Sequence, residues 1–235
     1  MKQVSRERVG AVIAAAGGSR RMDGIDKIFA ALAGKPLLWH VLHVFQGCDA
    51  VDQMAVVLGE ASVERGLRLV EESGFSKVTA VCAGGQRRQD SVAEGLRRLE
   101  GCDWVVIHDG ARPCVTVELI ERGLGEAQQT GAAVAAVPLK ETVKVVDAEG
   151  EIENTPRRES LWAAQTPQVF RFDLIAGAHR MVRQEVTDDA SLVETLGYKV
   201  RVYMGLYDNI KVTTPEDLAL AETIIRMRDE GRRRL

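Results

Sequence analysis

The sequence predicts an α/β protein: a mostly parallel sheet flanked by helices. Three observations carry this. The run from Val9 to Ala16 is apolar, uncharged and without alternation, as expected of a strand covered on both faces. Further short apolar segments, at Gln53 to Leu58, Lys77 to Cys82, Trp104 to Ile107 and Ala132 to Pro138, are separated by amphipathic stretches of helical period, the pattern of right-handed βαβ units. Finally, three glycine- or charge-rich loops, at residues 16–27, 84–91 and 108–113, all follow strands. That is where open parallel sheets bind ligands.

The elements follow in order. After the first loop, residues 35–45 place apolar side chains on one helical face, with Pro36 near the start, where a missing N–H is tolerated. Residues 61–72 read as a second amphipathic helix, and the loop at 84–91 leads into a third that runs through Leu99. Thr116 opens the next, with Leu119, Ile120 and Leu124 at helical spacing. Between 139 and 160 the alternation breaks. Residues 142–146 and 151–155 read as two strands joined by a turn, too polar on one side to be core, and so as a projecting hairpin arm. An isolated hairpin is marginal and needs something to pack against, which makes a partner subunit a natural expectation. Residues 161–170 contain Gln165, Thr166, Pro167 and Gln168, read as a turn-forming stretch. Helices are expected from Asp173 to about Arg183 and from the polar start at 187–191 to near Gly197, with a late strand at 199–204. The last helix is signalled by Thr214 as N-cap, Pro215 at its first position and Asp217 at N3.

Composition narrows the function. The chain has 235 residues, 46% hydrophobic and 28% charged, with a net charge of -3. This describes one ordinary globular domain spanning 1–235 and argues against a general nucleic-acid binder, whose phosphate contacts need clustered Lys and Arg. The four cysteines, Cys48, Cys82, Cys102 and Cys114, show neither a Cys-x-x-Cys pair nor a zinc spacing. No apolar run reaches the roughly 20 residues of a membrane span, and the first eight residues are polar. A cytoplasmic protein with reduced thiols and no membrane partner is expected.

Gly17 and Gly18 suit a tight turn in which backbone N–H groups approach an anion, and Arg20, Arg21 and Lys27 bring charge to it. Neither common phosphate loop is present. Ser19 and Met22 occupy the positions where a dinucleotide fingerprint begun at Gly17 needs glycines, and Pro36 follows Gly34 and Lys35 where a Walker loop needs Ser or Thr. Spacing alone also allows an ordinary turn with a solvated basic flank.

Taken together, this loop, the segment Gly84-Gly85-Gln86-Arg87-Arg88-Gln89-Asp90-Ser91, the segment Ile107-His108-Asp109-Gly110-Ala111-Arg112 and the segment Asp208-Asn209-Ile210-Lys211 closely resemble the 2-C-methyl-D-erythritol 4-phosphate cytidylyltransferase family. The likeness extends over essentially the whole chain. It implies transfer of CMP from CTP to a polyol phosphate with release of pyrophosphate, on the non-mevalonate route to isoprenoids. It also implies a Rossmann-like nucleotidyltransferase fold, dependence on Mg²⁺ and a homodimer with exchanged arms. By the same resemblance Ala15, Ala16, Gly17 and Gly18 wrap CTP, while Arg21 and Lys27 hold the triphosphate and stabilise the transition state. Gly85, Gln86 and Ser91 fall where the family reads cytosine, Gly110 lines the nucleotide, and Asp109 stands where related nucleotidyltransferases place a metal-binding carboxylate. Thr142 and Arg158 lie on the arm, reaching a neighbouring subunit's site, and Thr166, Thr187 and Lys211 complete the pocket. Arg158 and Lys211 would position the attacking phosphate. Ser19, where the family loop often has glycine, and Ile28, where a polar residue is common, depart from the pattern.

Other readings stand beside these. Asp109 is also the kind of residue that caps a turn. Arg112 is read as tying down the loop at Pro113, and Arg158 beside Arg157 has the look of a solvated pair. His40, His43 and the three tryptophans read as packing residues. The rival functions are ribitol-5-phosphate cytidylyltransferase, a non-catalytic nucleotide-binding regulator and, least favoured, an NAD-dependent oxidoreductase.

Overall fold

The computed structural model describes residues 6–17 and 26–233, with side chains to residue 231. In chain order the strands and helices are β1 (Val9–Ala15), β2 (Ala31–Leu32), β3 (Lys35–Pro36), α1 (Leu37–Gly47), β4 (Gln53–Leu58), α2 (Val63–Ser73), β5 (Val78–Ala83), α3 (Arg88–Leu96), β6 (Trp104–Asp109), α4 (Val117–Thr130), β7 (Ala132–Pro138), β8 (Val145–Val146), β9 (Ile152–Asn154), β10 (Trp162–Arg171), α5 (Phe172–Met181), α6 (Asp189–Thr195), β11 (Arg201–Met204) and α7 (Pro215–Arg233). Seven strands form one sheet in the order β11-β7-β10-β6-β1-β4-β5. All neighbours run parallel except β10, which is antiparallel to both β6 and β7.

The uninterrupted hydrophobicity of β1 has the expected cause. It lies in the middle of the sheet, between β4 and β6, and its side chains divide between two cores. Ala11 and Ile13 pack with α1 and α4, and Val12 packs with α3 and α5. The starts of α4 and α7 are those the sequence signals. Thr116 Oγ1 accepts from Leu119 N at 3.3 Å. At α7, Thr214 Oγ1 accepts from Asp217 N while Asp217 Oδ2 accepts from Thr214 N at 2.9 Å, a reciprocal cap.

Four expectations are corrected. Residues 161–170 are not interrupted by a turn. Residues 162–171 form the ten-residue β10, and Gln165, Thr166 and Pro167 are a bulge between Ala164 and Gln168, where the register against β7 shifts. Proline is tolerated at bulges because no ladder donor is required there, and the Thr166–Pro167 peptide is cis. Strand β6 extends to Asp109, so His108 and Asp109 are its last residues and not loop. Helix α1 begins at Leu37 with Pro36 as N-cap, because Lys35 and Pro36 first pair with Ala31 and Leu32 through a turn at Gly34, whose φ is +80°. Helix α3 stops at Leu96. The arm at 139–160 is present, with β8 and β9 shorter than expected and exposed on every residue.

Helix α3 lies close to the sheet because Gly95 faces it. A Cβ there would sit 2.5 Å from Val12 Cγ1 and 3.0 Å from Val57 Cγ2, both side chains being fully buried. Gly95→Ala gains about 1 kcal/mol of helix propensity against about 1–3 kcal/mol of overpacking. The expected result is a lower urea midpoint at unchanged slope, by up to about 2 kcal/mol; a raised midpoint would show that α3 can move outward at no cost.

Candidate active site

The strands deliver their carboxyl ends to one cavity of about 240 Å³, lined by residues from five segments: Ala15, Ala16 and Gly17 at the end of β1; Lys27 and Ile28; Gly85 to Arg88 with Ser91; Asp109 and Ala111; and Lys211. The lining side chains include Lys27, Arg87, Arg88 and Lys211, with Asp109 the single carboxylate among the described residues. This is a site for an anion larger than one phosphate.

The walls approach through small residues. A Cβ on Gly84 would lie 2.5 Å from Ala16 Cβ, and one on Gly110 2.7 Å from Ala15 Cβ. Gly110 thus closes the wall against β1, with its N–H donating to Ala14 O at 2.8 Å. Ser91 orders the second glycine loop: its hydroxyl accepts from Gly85 N at 3.2 Å and donates to Arg87 O at 3.1 Å.

Asp109 is the electrostatic centre. Its Oδ1 accepts from Arg88 Nε at 3.0 Å, its Oδ2 lies 2.8 Å from Lys211 Nζ, and Arg112 Nε is 3.8 Å away. Burial opposes ionisation of this carboxyl, but Arg88, Lys211 and Arg112 together outweigh it and hold its pKa well below the ordinary range. Beneath it, Thr166 Oγ1 accepts from Asp109 N at 3.0 Å and lies 3.1 Å from His108 Nδ1. His108 Nε2 lies 3.1 Å from Arg112 O. This pattern assigns the ring proton to Nε2, and burial pushes the His108 pKa down to about 4, so His108 is a neutral strut.

Lys211 is carried by a latched segment. Asn209 Nδ2 donates to Thr166 O at 2.8 Å, Asn209 O accepts from Arg112 Nη1 at 2.8 Å, and Val212 N donates to Ala111 O at 2.8 Å. Arg112 therefore has the structural part expected of it. Gln165, whose amide donates to Leu206 O at 2.9 Å, secures the same segment.

Of the residues implied by resemblance, the structure brings Ala15, Ala16, Gly17, Lys27, Gly85, Gln86, Ser91, Asp109 and Lys211 to one cavity, with Gly110 in its wall. Gly18 and Arg21 lie outside the described residues. Thr166 sits behind Asp109, 4% exposed, and does not line the cavity. Thr142, Thr187 and Arg158 are exposed and do not line it; Arg158 Nη1 donates to Lys140 O at 3.1 Å within the arm. Arg88 and its second partner, Asp189, at 2.7 Å, were not singled out by sequence reasoning. The available signal was the second acid after the α6 cap Asp188, one more than a helix start requires.

The residues present fit Mg²⁺ brought by a nucleotide. No group of three His, Cys, Asp or Glu among the described residues could hold a metal alone. Mg²⁺ is ordinarily held by one or two carboxylates completed by substrate phosphates, and the ionised Asp109 keeps lone pairs beyond those taken by Arg88 and Lys211.

Comparison with known proteins agrees with this architecture. Residues 9–227 match the family described as 2-C-methyl-D-erythritol 4-phosphate cytidylyltransferase. A protein of that name from Dehalococcoides mccartyi is 54% identical over 220 residues, 94% of this chain and 97% of the relative. Another, from Alkaliphilus oremlandii, is 41% identical over 238 residues, 99% of this chain and all of the relative. Among solved structures, 2-C-methyl-D-erythritol 4-phosphate cytidylyltransferase from Thermus thermophilus superposes with a TM-score of 0.77 at 33% identity, covering 94% of this chain and 99% of that one. The 4-diphosphocytidyl-2C-methyl-D-erythritol synthase of Anaerococcus prevotii gives 0.83 at 28% identity, covering 94% and 96%. With residues 9–227 matching the family and a relative of that name 54% identical over 94% of the chain, this chain belongs to the 2-C-methyl-D-erythritol 4-phosphate cytidylyltransferase family.

Proposed function

We propose that this protein transfers CMP from CTP to the phosphate of 2-C-methyl-D-erythritol 4-phosphate, forming 4-diphosphocytidyl-2-C-methyl-D-erythritol and pyrophosphate. The observation that carries the reading is the convergence of Lys27, Arg87, Arg88 and Lys211 on one cavity between two glycine loops, in a chain of this family.

A phosphate monoester is already an anionic nucleophile at neutral pH, so no general base is needed. The difficulty is to bring two polyanions into line, which calls for positioning and for cations that offset repulsion. In this reading Ala15 to Gly18 wrap the nucleotide, Gly85, Gln86 and Ser91 hold the base, and Arg21 and Lys27 grip the triphosphate. Lys211, from the opposite wall, orients the incoming phosphate. Asp109 would hold Mg²⁺ together with the triphosphate, and the ion would supply charge neutralisation at the α-phosphoryl group and the departing pyrophosphate. Arg158, Thr142, Thr166 and Thr187 belong to the polyol side. Because Thr142 and Arg158 lie on a thin exposed arm, we assign them to the site of a second copy, in a cytoplasmic homodimer.

Four measurements test this. Pyrophosphate release with CTP is expected with methylerythritol phosphate; turnover confined to ribitol 5-phosphate would transfer the enzyme to the ribitol-5-phosphate class. CTP binding without release, with Mg²⁺ and both polyols present, would indicate a regulator. Each charge-assisted contact is worth about 1.5–3 kcal/mol, so Lys27→Ala should lower turnover at least about tenfold with the fold intact; near-normal turnover removes Lys27 from the reaction. Mixing Arg158→Ala with Lys27→Ala subunits should restore activity through hybrid dimers, and failure to restore it would return Arg158 to its own subunit's site.

A further inference from the structure

Behind the cavity lies a buried charge that the reaction above does not use. Asp189, the first residue of α6, is 1% exposed and does not line the cavity. Its Oδ2 accepts from Arg88 Nη1 at 2.7 Å, while Arg88 Nε donates to Asp109 at 3.0 Å. One guanidinium that faces the cavity is thus shared between two buried carboxylates. On its far side, Asp189 Oδ1 is 3.5 Å from the buried ring of His179 and makes no hydrogen bond. The position of Asp189 is itself fixed: Gln168 of β10 donates to Asp188 Oδ2 at 2.8 Å and accepts from Ala190 N at 3.0 Å. A carboxylate held this firmly against a cavity-lining arginine opposes the binding of any anion there.

We propose that Asp189 is a positioning residue that anchors Arg88 and offsets its charge, so that the cavity releases pyrophosphate more readily than its cations alone would allow. This rests on the reading of the cavity as a triphosphate site. Without the second carboxylate, Arg88 would be offset by Asp109 alone, which Lys211 and Arg112 also share, so it would present more of its charge to a bound polyphosphate and product would be held with substrate. Tight uniform binding of both lowers KM without raising kcat.

Asp189→Asn keeps an acceptor for Arg88 and offers an N–H to His179, removing only the charge. Isothermal titration with inorganic pyrophosphate is expected to show binding about threefold to thirtyfold tighter than wild type, the size of one nearby unit charge removed in a partly screened site. KM for CTP should fall while kcat does not rise. His179→Lys, which leaves Asp189 and Arg88 in place and sets a second cation against Asp189, should move pyrophosphate affinity in the same direction, and it serves if the Asn variant does not fold. A purely structural Asp189 predicts the opposite, so folded variants that bind pyrophosphate no tighter than wild type overturn the proposal. Wild-type protein that binds no pyrophosphate would overturn the triphosphate reading beneath it.

Discussion

The ionised, buried carboxylate of Asp109 is the constraint on which the site depends. Taking a carboxylate out of water costs several kcal/mol after relaxation, and here three cations from separate parts of the chain compensate: Arg88 from α3, Arg112 just past β6, and Lys211 from the segment before α7. The reverse also holds. Three cations gathered around one carboxylate would otherwise repel one another, and Asp109 is what lets them gather. Removal of one partner from such a cluster typically costs about 3–5 kcal/mol, so the arrangement is secured by stability and not only by use.

Much of this was legible in the sequence, and what was not has a common cause. β1, β4 and β7 announce themselves because a strand buried on both faces must be apolar throughout, and α7 because its cap is local in sequence. β10 was hidden. Gln165, Thr166, Pro167 and Gln168 carry turn chemistry within a four-residue window, and only pairing with β6 and β7 makes them a strand. The side chains of Gln165 and Gln168 are satisfied by Leu206, Asn209 and Asp188, and that of Thr166 by His108 and Asp109, partners 20 to 58 positions away. The glycine loops and their cations were readable because backbone freedom and charge are residue properties. The Arg88–Asp189 pair was not, since its members are 101 residues apart and an acid at a helix start looks like ordinary capping.

The two halves of the site are built on different principles. Among the described residues of the proposed nucleotide side, Gly84 against Ala16 and Gly110 against Ala15 leave no room for a Cβ, so at these two points the chain is held close to the end of β1. The polyol half is sparse. Within one chain Lys211 reaches the cavity, whereas Arg158 and Thr142 stand on an arm whose Val146 and Ile152 are 52% and 61% exposed. A two-stranded hairpin with its apolar side chains in water gains little from folding alone, and the same exposure that makes the arm weak in isolation suits it to lie on another copy, which is the arrangement proposed above for the second substrate.

His108 closes the chemical argument. It lies directly beneath the reacting region, the place where a hydrolase would keep its base, yet it is fully buried, bonded through both ring nitrogens to Thr166 and Arg112, and its pKa of about 4 keeps it neutral. It can neither accept a proton from a nucleophile at neutral pH nor reach the cavity. A site whose nearest histidine is spent on structure, and whose cavity is edged by lysine and arginine, suits a reaction whose nucleophile arrives already charged. Phosphoryl attack on a nucleotide is such a reaction, and the fold has accordingly invested in where charges sit and not in moving protons.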